Sequence, residues 1–195
     1  MKTLWKPIVI ILVVCIMAVD VFLDQRTNAQ AEVVTLAGSD LTLPVGTRIG
    51  ELAPDFNGTT LEGDTVRLSD LRGKTVLINV FASWCGPCQL EMPHLVQLSN
   101  ELDQDEVVFV GLNLQENPDS VTTFRDEFGI DFPLVLNEDG QLTNGLYTPI
   151  GLPTSWFIDR EGVVRYVFSG AMTREVLENV LDDVIAGREP APFKT

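Results

Sequence analysis

The apolar positions of this chain fall into a few distinct periods. In its middle lies Val76-Leu-Ile-Asn-Val-Phe81, a run interrupted only by Asn79. A short run this apolar predicts a strand buried on both faces. Val107 to Leu114 predicts a second. Between them Leu90, Leu95, Val96 and Leu98 follow a helical pattern. Asn117-Pro118 reads as the cap and first residue of a helix that runs through Phe128 and stops at Gly129. Phe124 and Phe128, four apart, are expected in the core. Phe132 to Leu136 predicts a short strand, and Gln141 to Tyr147 a weak helical segment. Gly151 to Asp159 leads into a strand on which Trp156 and Phe157 alternate; Arg160-Glu161-Gly162 then turns the chain into Val163 to Phe168. Thr173 caps a last helix with Val176, Leu177, Val180, Leu181, Val184 and Ile185 on one face, ended by Gly187.

Upstream, Asp55 to Leu68 reads as a β-hairpin, with Phe56, Leu61, Val66 and Leu68 as apolar positions and Glu62-Gly63-Asp64 as the turn. Gln25 to Gly50 reads as a linker that ends in extended structure around Leu41 to Val45. Met1 to Leu23 has the pattern of a targeting segment. Lys2 and Lys6 precede the apolar run Ile8 to Val19, and Asp20 is followed by Val21-Phe22-Leu23. Positive residues before the run predict a cytoplasmic N-terminus and an exported remainder. A retained anchor competes with a signal peptide cleaved near Ala29-Gln30-Ala31. The run is short against the roughly 20 apolar residues that a bilayer needs, but the candidate cleavage site lies far from it. Cys15 is expected to be a small apolar residue within the run.

Charge narrows the partners. With a formal net charge of −15, the chain is a poor fit to nucleic acid or to an anionic membrane surface. Its acidic residues are dispersed, as on a solvated surface. Three cysteines are too few for a disulfide scaffold.

Two of them carry the chemistry. Cys85-Gly86-Pro87-Cys88 follows the first buried strand and opens the helix after it. The first turn of a helix has unpaired N–H groups and a partial positive charge, which favour a thiolate over a thiol. Cys85 is therefore expected to be the attacking thiolate. Cys88, one turn later and more buried, is expected to resolve the mixed disulfide. Pro87 suits a first turn, where its missing N–H costs nothing. A zinc site would need a second pair of soft ligands; His94 is the only histidine, so no metal is expected. Glu91, three residues after Cys88, falls near the thiols and can take the proton from Cys88 as it attacks. The competing reading is a solvated glutamate held by the helix dipole. Trp84 is expected to be a flat apolar wall beside the thiols, with simple packing as the alternative.

Trp84-Cys-Gly-Pro-Cys88 after a hydrophobic strand resembles the thioredoxin superfamily. Glu91-x-Pro93, Ala53-Pro-Asp-Phe56 and Leu68-Ser-Asp-Leu-Arg-Gly-Lys74 make the chain similar to membrane-anchored thiol-disulfide oxidoreductases of the ResA and TlpA type. The likeness runs from about Gly46 to Gly187. It implies an α/β thioredoxin fold: a central mixed sheet flanked by helices, an N-terminal β-hairpin and a central αβ insertion. The expected organisation is an anchor or signal at 1–23, a linker at 24–45, the thioredoxin-like domain at 46–188 and a disordered tail at 189–195. The resemblance gives Pro153 a cis bond beside Cys85, where with Leu152 it keeps metal ions off the thiols and presents backbone to an extended substrate. General thioredoxins place a buried Asp where this chain has Asn79, which cannot titrate and so favours Glu91.

The implied activity is reduction of disulfides in exported proteins, with apocytochrome c and its CxxCH disulfide as the substrate. A membrane protein of the CcdA or DsbD type would supply electrons, and no cofactor beyond the cysteine pair is implied. Gly86-Pro87 matches reducing thioredoxins, whereas ResA usually has Glu in place of Gly86. That difference leaves a disulfide-donating oxidase or isomerase as the alternative. A peroxiredoxin would need a Thr that Phe81-Ala-Ser-Trp-Cys85 lacks. Copper-delivery relatives usually have a CxxxC and a distal His, and neither is present.

Overall fold

The computed structural model describes residues 33–35 and 42–190. The targeting segment, the proposed cleavage site, Cys15, most of the linker and residues 191–195 lie outside the described residues. Among the described residues no helix is long and apolar enough to cross a membrane.

The sheet that positions the site has five strands. In chain order the strands are β1 (Val33–Thr35), β2 (Thr42–Pro44), β3 (Asn57–Thr59), β4 (Thr65–Arg67), β5 (Thr75–Phe81), β6 (Val107–Asn113), β7 (Leu134–Val135), β8 (Thr154–Ile158) and β9 (Val164–Ser169). The central sheet has the order β7-β6-β5-β8-β9. β6 runs parallel to β5, β7 parallel to β6, and β8 antiparallel to β5. β5 is thus the middle strand, and all seven of its residues are buried, as its near-continuous apolar run predicts. A parallel pair needs a long crossover; α1 (Gly86–Glu101) supplies it between β5 and β6.

Alternation along β5 divides the core in two. Leu77 and Phe81 face a cluster built with α1, α2 (Pro118–Phe128) and α3 (Arg174–Ile185). Val76, Ile78 and Val80 face the opposite cluster, made with Ala53, Phe56, Leu68 and Tyr147. Each of these three α-helices contributes to the first cluster. The second is covered by the β3–β4 hairpin, a 3-10 turn at Leu68–Leu71 and a π-type turn at Leu142–Leu146. Burying one side chain the size of Leu77 stabilises the fold by about 1.5–3 kcal/mol.

The local signals explain the boundaries. Asn117 Oδ1 accepts from Ser120 N at 3.0 Å and so caps α2. Gly129 ends α2 at φ 65°, a left-handed conformation that an L side chain resists. Gly63 holds φ 91° at the β3–β4 turn. Thr173 Oγ1 accepts from Val176 N and starts α3. One expectation is corrected, and two are made more specific. The strand at Phe132 to Leu136 is only Leu134–Val135, the length that pairs with β6. The helical segment at Gln141 to Tyr147 is the π-type turn, closed by Tyr147 N donating to Leu142 O. Leu90 does not join the core; it is 73% exposed.

Candidate active site

The C-terminal end of β5 delivers the chain to the site. Phe81 is buried, a loop of Ala82, Ser83 and Trp84 follows, and Cys85 is the N-cap of α1. Cys85 and Cys88 are joined in a disulfide. The Cys85 sulfur also accepts from Cys88 N at 3.2 Å, so an orphan donor of the first turn points at it. Pro87 occupies that first turn. Cys88 is the deeper cysteine, at 1% exposure against 5% for Cys85. Trp84 stands out beside them at 67% exposure, which rules out a mainly core role. A Cβ added at Gly86 would meet nothing within 4 Å, so its difference from the ResA pattern has no steric cause.

The glutamate is where the structure says most. Glu91 lies one turn beyond Cys88 on the buried side of α1, at 1% exposure. This overturns the solvated-helix reading. Its Oε2 accepts from Asn79 Nδ2 and its Oε1 from Met172 N, both at 3.0 Å. Burial disfavours the charged form more than these two bonds favour it, and the carboxyl is raised to about 7. Asn79 Nδ2 donates as well to Ser155 Oγ at 2.9 Å, from the residue directly opposite on β8. His94 Nδ1 lies 3.2 Å from Met172 O. Among the described residues no group of His, Cys, Asp and Glu is arranged to hold a metal ion.

The strand after the insertion completes the constellation. The Leu152–Pro153 bond is cis. Val80 pairs with Thr154, so the register brings Pro153 level with Phe81, at the end of the sheet from which the cysteine loop departs. Pro153 is buried, and its carbonyl accepts from Gly170 N at 2.8 Å. Leu152 is half-buried and packs against both core clusters.

One part of the site was not foreseen. Glu116 clamps the loop before Cys85: its carboxylate bonds Ser83 Oγ and accepts from Ser83 N at 2.8 Å. Asn113 Nδ2 donates to the same carboxylate at 2.7 Å, and Gln89 Nε2 donates to Ser83 O at 2.8 Å. These partners are separated by up to 33 residues, and only the parallel β5–β6 register brings them together. The phase of α1, by contrast, was available. Cys88, Glu91, Met92, Leu95, Leu98 and Ser99 are its buried residues; that spacing puts Glu91 inside and Leu90 outside.

Comparison with known proteins agrees with this geometry. Residues 49–167 match the model of the AhpC/TSA family. The chain is 38% identical over 136 residues to the thiol-disulfide oxidoreductase ResA of Geobacillus kaustophilus, covering 70% of this chain and 78% of that one. It is 35% identical to the thioredoxin-like protein YneN of Bacillus subtilis, over 71% of this chain and 81% of the relative. Among solved structures, a thiol:disulfide interchange protein of the thioredoxin family from Chlorobium tepidum superposes with a TM-score of 0.63 at 29% identity, covering 71% of this chain and 97% of that one. The chain belongs to the AhpC/TSA family, among its ResA-like thiol-disulfide oxidoreductases.

Proposed function

We propose that this thiol-disulfide oxidoreductase works as a reductase of exported proteins, outside the cytoplasm and tethered by its N-terminal segment. The observation that carries the reading is a buried cysteine pair with a buried carboxyl, raised to about 7, one helical turn beyond Cys88. In the reduced enzyme, the Cys85 thiolate at the start of α1 attacks a substrate disulfide. One substrate sulfur leaves as a thiolate, and a Cys85–substrate disulfide forms. The Cys88 thiol then passes its proton to the Glu91 carboxylate and attacks Cys85. The second substrate thiolate leaves, and Cys85–Cys88 is oxidised. A carboxyl near 7 accepts a proton from a thiol and releases it again at neutral pH.

Substrate contact falls to Trp84, Gly86 and Pro87, which are exposed, and to Leu152. Pro153 has no N–H and its carbonyl is already bonded, so the backbone contact is assigned to Leu152. No cofactor is called on beyond the cysteine pair. By the family likeness the substrate is the CxxCH disulfide of apocytochrome c, and a membrane donor of the CcdA or DsbD type restores the dithiol. The deciding experiment is the Cys85–Cys88 reduction potential, measured by thiol trapping in defined redox buffers. A potential near the −270 mV typical of thioredoxin supports a reductase; one near the roughly −120 mV of DsbA makes the protein a disulfide donor.

A further inference from the structure

Asn79 holds an unusual position: a buried amide at the centre of the middle strand, 2% exposed, with its Oδ1 unpartnered among the described residues. Its two bonds both run from Nδ2, to Glu91 Oε2 and to Ser155 Oγ. This suits an ionised Glu91, which can only accept. A protonated Glu91 presents an O–H instead, and the Ser155 hydroxyl can turn to donate. Rotating the amide by about 180° then puts Oδ1 where Nδ2 stood, and it accepts from both. Glu91 and Ser155 therefore keep a partner on Asn79 in either charge state, while the other end of the amide has none in either.

We propose that Asn79, with Ser155, is a positioning residue that holds Glu91 in both its charge states by reversing the amide each time the carboxyl gains or loses a proton. This rests on Glu91 being the proton acceptor for Cys88. The reversal moves no heavy group and transfers no proton of its own. An Asp at this place would add a second carboxylate against Glu91, and the two could not both ionise. A neutral amide keeps proton exchange on one group. The groups around that carboxylate are few: Cys88 one turn back on α1, His94 against Met172 O, the amide from β5, the hydroxyl from β8 and the Met172 N–H. No charged side chain contributes to its shift.

The test is a pH titration of the oxidised full chain in detergent micelles, following Glu91 Cδ and the Asn79 side-chain amide by NMR. Because no turnover occurs in the oxidised state, the outcome is independent of whether the chain is a reductase. Nuclear Overhauser contacts from the Asn79 amide protons to Ser155 are expected above the Glu91 midpoint and lost below it. Asn79→Leu is expected to raise that midpoint by about one pH unit or more, since only the ionised form loses a charge-assisted donor. Asn79→Asp, which keeps the shape should the leucine variant fail to fold, is expected to split the titration, with the upper midpoint above that of the wild type. Amide contacts that persist below the midpoint, or a Glu91 midpoint unmoved in the folded variants, overturn the proposal.

Discussion

The two faces of the central sheet bury polar groups in opposite ways. On the face away from the α-helices, two large buried side chains each give their polar tip to one backbone carbonyl: Tyr147 Oη donates to Pro54 O at 2.7 Å, and Trp156 Nε1 to Thr47 O at 3.1 Å. Burial also holds the Tyr147 phenol well above its ordinary value, so it remains a donor. On the helical face Asn79, Glu91 and Ser155 form a buried network in which Asn79 Oδ1 has no partner among the described residues and one carboxyl is poised near neutrality. The first arrangement gives stability that does not change with pH. The second sacrifices some stability for a proton that can move. Ser155 and Trp156 are neighbours on β8, yet they join opposite arrangements, so the chemistry differs through the cover each face receives.

The largest expected effect is on the cysteines. Cys85→Ser is expected to abolish disulfide reduction. Cys88→Ser is expected to keep the attack and halt after it, accumulating a mixed disulfide visible by mass spectrometry. If instead Cys85→Ser formed the adduct through Cys88, the roles drawn from depth would be reversed.

Glu91→Gln comes next. Removing a general base typically costs about 100-fold or more, here in the single-turnover release of product from the mixed disulfide at neutral pH. The substitution also has a stability signature. The folded carboxyl titrates near 7 against an ordinary 4.5. Below about pH 4.5 it is protonated in both folded and unfolded chains and costs nothing. As pH rises from 4.5 through 7, the unfolded chain ionises first, and the wild type loses about 3 kcal/mol by the upper end. Urea unfolding across this window should show the wild type falling relative to Glu91→Gln. A parallel pH dependence for the two would mean that burial does not perturb Glu91.

How much of this was legible in sequence depends on the range of the signal. The caps at Asn117 and Thr173 and the stop at Gly129 are read from residues within one turn of each other, and they stand where expected. β5 was legible because a strand buried on both faces needs apolar residues at nearly every position. Asn79, the break within its apolar run Val76 to Phe81, has partners in Glu91 and Ser155 that lie 12 and 76 residues away. No periodicity links them; the strand register and the seat of α1 do. The same holds for Ser83 and Glu116. Leu90, Leu95 and Leu98 all fit the helix that was expected; the phase set by Cys88 and Glu91 in the buried stripe is what puts Leu90 outside.

On the opposite face Tyr147→Phe serves as the control. It leaves the Pro54 carbonyl without its donor and should cost about 1–2 kcal/mol, read as a lower urea midpoint. The redox potential and the pH dependence of turnover should not move. A shift in either would mean that the two faces are coupled through the sheet, and the division between a fixed and a titrating face would fail.

The smallest effect is expected at Leu90, where the helical face meets solvent. A core leucine cut back to alanine typically costs about 2–5 kcal/mol, whereas a substitution at an exposed position changes stability by within about 0.5 kcal/mol. At 73% exposure, Leu90→Ser belongs to the second class, and its urea midpoint should match that of the wild type. Leu95→Ala, five residues on and fully buried, should fall by several kcal/mol in the same assay. Equal losses at the two positions would put the phase of α1 in error, and with it the burial of Glu91 on which the titrating face depends.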